Sequence, residues 1–130
     1  MKRLLLISLV FTTASLFAGD TTEAKAKPKL LYGTASFYSN SFHGKKTANG
    51  EIYSQHKLTA ACNVLPLGTW VKVTNLRNGK SVTVKINDRL HAKMTRVVDL
   101  SRAAADKLNY IKSGLTRVKV EVLGKTKPAQ

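Results

Sequence analysis

Between Leu31 and Leu123 the aliphatic and aromatic positions recur mainly at every second residue, the spacing of strands with one buried face. The clearest run is Val82-Thr83-Val84-Lys85-Ile86, which leads straight into Asn87-Asp88-Arg89. Trp70–Asn75 alternates in the same way, with Val71 and Val73 inward and Lys72 and Thr74 outward. It is joined to Ser81–Ile86 by a segment containing Asn78-Gly79, a pair suited to the positive-φ turn of a hairpin. Leu31–Tyr38 predicts a first strand, in which Gly33 marks a bulge or a close approach. Leu58–Ala61 predicts a short strand, and Arg117–Leu123 a last one with Val118, Val120 and Val122 inward. Val97-Val98 leading into Asp99-Leu100-Ser101 repeats, in brief, the pattern of a strand ending at an acid.

Helical spacing occurs once, in the stripe Leu100, Ala104, Leu108 and Ile111. Ser101 can cap this helix, which is expected to run to about Tyr110 and to stop at Ser113-Gly114. Residues 39–50 and Pro66-Leu67-Gly68 read as loop and turn. Five or six short strands without βαβ alternation predict a mainly β fold, a small closed barrel with one or two short helices. Closure also protects strand edges.

The ends depart from this pattern. Met1-Lys2-Arg3, the apolar run Leu4–Ala18 and the small residues Ala18-Gly19 have the three parts of a secretory signal peptide, expected over 1–18. The run is shorter than the roughly 18–20 residues a membrane span needs, and no cysteine follows it to be acylated. A soluble exported protein without a membrane span is therefore expected. Residues 19–30 are polar and aperiodic, a flexible leader, and 124–130 read as a flexible basic tail. The domain proper is expected over 31–123. Its one cysteine, Cys62, leaves no partner for an internal disulfide, so packing alone must hold the fold.

Charge narrows the partners. Setting aside Lys2 and Arg3 leaves 20 basic against 7 acidic residues, a net charge near +13. Such a chain is drawn to polyanions. The lysines and arginines are scattered singly, which favours general attraction to an anionic wall or membrane surface over a nucleic-acid site. Asp88, at the end of a rigid strand, is placed as a general acid would be; read locally, it could equally pair with Arg89 or close a turn.

Several stretches taken together carry more than pattern: Gly33-Thr-Ala-Ser-Phe-Tyr38, Phe42-His-Gly-Lys-Lys-Thr-Ala-Asn-Gly-Glu51, Leu58-Thr-Ala-Ala61, Leu65-Pro-Leu-Gly-Thr69, Asn87-Asp-Arg89 and Val98-Asp-Leu-Ser101. Their order resembles the rare-lipoprotein-A (RlpA-like) family of bacterial cell-wall proteins. The resemblance implies a six-stranded double-psi β-barrel, shared with barwin and the first domain of expansins. It also implies a periplasmic or wall-associated monomer that needs no metal or cofactor and acts on peptidoglycan glycan strands, not nucleic acid. The implied activity is lytic transglycosylation of strands poor in stem peptides, leaving 1,6-anhydro-N-acetylmuramic acid ends. Family members often carry a C-terminal repeat that recognises denuded septal glycan, and no such repeat precedes Gln130.

Three family positions carry the chemistry. The Asp of Asn-Asp-Arg falls on Asp88 and the Glu of Thr-Ala-Asn-Gly-Glu on Glu51, while the His after Ala-Ala falls on Cys62. Asp88 is expected to act as acid and base, with Glu51 either near the developing oxocarbenium or as a pKa-raising neighbour, the pair holding one proton between them near neutral pH. A thiol at position 62 orients an acid only weakly, so a non-catalytic, expansin-like wall-binding module is the alternative. After Arg89 the family usually has Gly-Pro, where this chain has Leu90-His91, and His91 reads as a surface residue. Tyr38, Thr47, Asn49, Asn87 and Arg89 are the expected sugar-binding residues, Tyr38 alternatively being a core aromatic. Asp99 is expected to bond backbone amides near Ser101.

Overall fold

Each valine-rich alternation becomes a strand. The computed structural model describes residues 29–129, so the signal peptide and nearly all of the leader lie outside the described residues. The strands are β1 (Leu30–Phe37), β2 (Thr59–Ala61), β3 (Trp70–Asn75), β4 (Ser81–Asp88), β5 (Val98–Leu100) and β6 (Thr116–Gly124). They close into a barrel in the order β1-β5-β2-β4-β3-β6. Pairing is mixed: β1 with β5 and β2 with β4 are parallel, and the other four pairs are antiparallel. Val71, Val73, Val84, Ile86, Val98, Leu100, Val118 and Val120 fill the interior with no exposed surface, as the period-2 reading requires.

Gly33 is a close approach. A Cβ there would stand 2.9 Å from Cβ of Val97, at the entry to β5. In the β3–β4 connection Gly79 alone takes a positive φ, 79°. Asn78 does not; its side chain braces the turn instead, Nδ2 donating to the Leu108 carbonyl and Oδ1 accepting from Lys80 N–H. The buried Asn75 ties the same hairpin to the rest of the barrel, donating to the Leu108 carbonyl and accepting from the Thr116 hydroxyl at 2.7 Å.

The helix α1 (Arg102–Lys107) is shorter than its periodicity predicts. Ser101 caps it as expected, its hydroxyl accepting from Ala104 N–H at 3.2 Å. It stops early because Asn109 turns left-handed at φ 57°. That reversal swings Tyr110 back onto the barrel, where its ring meets Phe37 edge-on and its hydroxyl donates to the Ser36 carbonyl. A short 3-10 turn, Asn40–Phe42, and an isolated bridge between Lys46 and Ile52 shape the long loop after β1. Beyond β6, Lys125 donates to the Leu67 carbonyl and the Lys127 ammonium lies 5.9 Å from the Trp70 ring centre.

Candidate active site

The end of β4 divides two clefts. β2 pairs Ala60 with Ile86 and then Ala61 with Asp88, leaving Asn87 unmatched in the ladder. Asp88 lines a cleft of about 430 Å³ with Tyr38, Phe42, His91 and Asp99. Asn87 instead lines a larger cleft of about 860 Å³ with Glu51, Lys85 and Trp70.

Asp88 is held by three donors from three segments. Oδ1 accepts Ala48 N–H at 2.8 Å and Arg89 N–H at 2.9 Å, while Oδ2 accepts the Tyr38 hydroxyl at 2.6 Å. Oδ1 is thus filled and Oδ2 keeps one free lone pair. Tyr38 is fixed in turn. Its ring stacks on the buried Tyr53 at 4.2 Å between centres and meets Phe42 edge-on. The Tyr53 hydroxyl accepts Arg102 N–H at the start of α1. Burial, and then the hydrogen bond to Asp88, push the Tyr38 phenol far above the ordinary tyrosine value, so it remains a donor at every physiological pH.

The two carboxyls expected to share a proton are separated. Glu51 pairs with Lys85 at 2.7 Å and accepts from Asn87 Nδ2 at 2.9 Å. Lys85 first, and Asn87 second, hold the Glu51 carboxyl below its usual 4.5, against a smaller opposing effect of burial. Glu51 is therefore a paired carboxylate at neutral pH, and no hydrogen bond joins it to Asp88 among the described residues. The loop Thr47–Glu51 explains the separation, because it straddles β4, placing Ala48 on Asp88 and Glu51 on Asn87.

Thr47 and Asn49 build that loop. Thr47 is 7 % exposed and its hydroxyl donates to Asn49 Oδ1, which also accepts Glu51 N–H. Asn49 N–H caps the Asn87 carbonyl at 3.2 Å. Arg89 lines the Asp88 cleft, but its Nη1 donates to the carbonyls of Cys62 and Leu65, pinning the segment after β2. Cys62 has no exposed surface and belongs to the core, and its backbone N–H donates to the Asp88 carbonyl. The position of the family histidine thus neighbours the acid through the main chain, while the thiol packs inward.

Asp99 does not bond backbone amides as expected. Arg96 takes it in a two-pronged ion pair at 2.7 and 2.9 Å, and the pair forms part of the Asp88 cleft wall. Four contributors escaped the alternation pattern: Tyr53 under Tyr38, the Ala48 amide, Lys85 on Glu51, and Trp70 in the larger cleft. Lys85 and Trp70 had a signal, since both occupy outward positions of paired strands and are direct cross-strand partners.

This barrel, with its mixed pairing and an acid at the end of β4, is of the double-psi type. Expansin from Clavibacter michiganensis superposes with a TM-score of 0.60 at 20% identity, over 78% of this chain and 53% of that one. The Streptomyces papain inhibitor gives 0.59 at 20% identity, over 72% of this chain and 94% of that one. The lytic transglycolase family model matches residues 31–120, and the chain belongs to that family. Its relatives include the endolytic peptidoglycan transglycosylases RlpA of Pseudomonas aeruginosa, 54% identical over 96 residues, and Campylobacter jejuni, 51% identical over 92. Those alignments cover 74% and 71% of this chain, which spans only 28% and 34% of the relatives' length.

Proposed function

We propose that the domain is an endolytic transglycosylase of peptidoglycan that cuts glycan strands poor in stem peptides and leaves 1,6-anhydro-N-acetylmuramic acid ends. The observation that carries the reading is Asp88 Oδ2, fixed by Tyr38 at an open cleft with one lone pair unused. In its protonated form Asp88 gives its proton to the glycosidic oxygen as the bond to C1 breaks. The carboxylate so formed takes the proton of the same sugar's C6 hydroxyl as O6 closes on C1. The acid is regenerated and no water is consumed, so a second carboxylate to activate water, which inverting hydrolases require, is unnecessary. Glu51, already neutralised by Lys85, acts as an ionic support for the loop that carries Ala48.

A non-catalytic wall-binding module is the second reading, favoured by one observation. No imidazole bonds to Asp88 among the described residues, and Cys62 lies inside the core. One solved relative by fold is an expansin variant in complex with cellohexaose, 19% identical with a TM-score of 0.59 over 78% of this chain and 53% of that one. Incubating the purified chain with sacculi and analysing soluble fragments by mass spectrometry separates the two. Anhydro-muramyl ends that vanish in Asp88→Asn, with sacculus binding retained, support the enzyme. Intact bound strands from both proteins support the module.

A further inference from the structure

The side of the barrel away from the clefts is amphipathic. In the closed order of six strands β6 stands opposite β2, and β2 borders β4, whose end divides the clefts. The helix packs against β4, β1 and β5, which leaves the outer side of β6, and of β3 beside it, to solvent. On that side Arg117 and Lys119 project from β6, Lys72 from β3 and Tyr32 from β1, while the alternate residues Val118, Val120 and Val73 are buried. The ladders set the outward residues in rows. Tyr32 pairs with Lys119, whose other neighbour is Thr74, and Leu30 pairs with Glu121, whose other neighbour is Lys72. Glu121 is the one acid at the outward positions of these three strands, and it already lies 3.9 Å from the Lys119 ammonium. Of the nine large apolar side chains exposed among the described residues, Leu30, Tyr32, Leu76 and Leu115 belong to this face, Tyr32 most openly at 58 %. None of them lines either cleft.

We propose that this face seats the barrel on an anionic phospholipid bilayer, with both clefts turned away from the membrane. Successive outward residues on a strand stand roughly 7 Å apart, so the cations form a spread array and do not converge on one small anion. An extended sheet of headgroup phosphates matches such an array. The apolar members decide between polyanions. A nucleic acid or an acidic polysaccharide would pair with the cations and leave Leu30, Leu76 and Leu115 in water. A bilayer has acyl chains directly beneath its charge, where leucines gain by burial and a tyrosine keeps its hydroxyl wet at the interface. The outer surface of a closed barrel is convex, which suits a broad plane better than an inserted peptide. Docking of this kind is independent of glycan cleavage.

Vesicle co-sedimentation tests this on the chain from Gly19 to Gln130, which contains the whole barrel and omits the apolar run Leu4–Ala18, itself able to bind lipid. Binding is expected to mixed vesicles of phosphatidylglycerol and phosphatidylcholine, to weaken as sodium chloride rises, and to be absent with phosphatidylcholine alone. Removing one cation near an anionic surface costs about fivefold in partitioning, so Lys72→Gln, Arg117→Gln and Lys119→Gln together should lower it on the order of a hundredfold. Tyr32→Ser should lower it again, and Tyr32→Phe should not. Exposed substitutions of this kind move stability little, and thermal melts check that each variant is folded. A second triple variant, Lys45→Gln, Lys57→Gln and Lys93→Gln, makes the same change in net charge around the clefts. It should bind vesicles nearly as the parent does. Equal losses in the two triple variants would reduce the effect to net charge and overturn the proposal. So would absence of binding to the anionic vesicles, or displacement by inorganic phosphate beyond that by sodium chloride of equal ionic strength. Tighter binding to soluble polyglutamate than to vesicles would make the partner an acidic polypeptide and overturn it as well.

Discussion

Tyr38 lies fifty positions before Asp88 in the sequence and 2.6 Å from it in space, which makes the phenol the side chain that aims the acid. Tyr38→Phe keeps the ring stacked on Tyr53 and deletes only the donor. Hydrogen bonds to charged groups are worth about 1.5–3 kcal/mol, so cleavage in steady-state assays is expected to fall roughly tenfold or more. Sacculus binding should persist. Cys62 is predicted to be silent in the chemistry. With no exposed surface it cannot touch a substrate, and Cys62→Ala should leave the rate of cleavage unchanged. Denaturant unfolding of that variant should show a loss of about 1 kcal/mol for the lost packing. A folded Cys62→Ala chain that no longer cuts would place the thiol in the mechanism.

At the scale of elements, β1 and β5 can run side by side only because residue 33 lacks a Cβ. Gly33→Ala drives a methyl group to 2.9 Å from the Val97 side chain, and urea unfolding should report a loss of about 1–3 kcal/mol. The loop Thr47–Glu51 gives a prediction in pH. The Glu51 carboxyl is held below its usual 4.5 in the folded protein, so its contribution to stability is complete above 4.5 and is lost as pH falls through its lower folded value. Thermal melts should therefore decline over that acid window in the parent and decline less in Glu51→Gln. The strands β3, β4 and β6 were legible because each has one wet and one dry face. Strand β5, three residues long, was visible only as two valines before an acid, too short for a period to declare itself. The separation of Glu51 from Asp88 was not legible at all. It depends on a residue left unmatched in β4 and on a loop folded over it, both tertiary facts. The family motif marks Glu51 and Asp88, which the loop Thr47–Glu51 brings to the end of β4, but it does not encode which face each side chain takes.

For the whole molecule, charge and closure govern behaviour. The excess of basic residues is scattered over the surface, and attractions between exposed charges are screened over about 8 Å at physiological ionic strength. Retention on intact sacculi is expected to fall steadily as salt rises. Retention unchanged into molar salt would assign the holding to the clefts alone. The barrel also sets an order on assembly. Strand β1 hydrogen-bonds on one side to β5 and on the other to β6, and the chain entering β1 meets the chain leaving β6, where Val122 N–H donates to the Lys29 carbonyl. During synthesis β1 emerges first and β6 last, so β1 waits for both its neighbours until the last strand has been made. No sub-barrel made of the early strands can close ahead of it, because β3 too needs β6 as its second neighbour. A ribosome-bound chain halted before Thr116 would thus stay open and protease-sensitive, and protection should appear only once the last strand has left the ribosome.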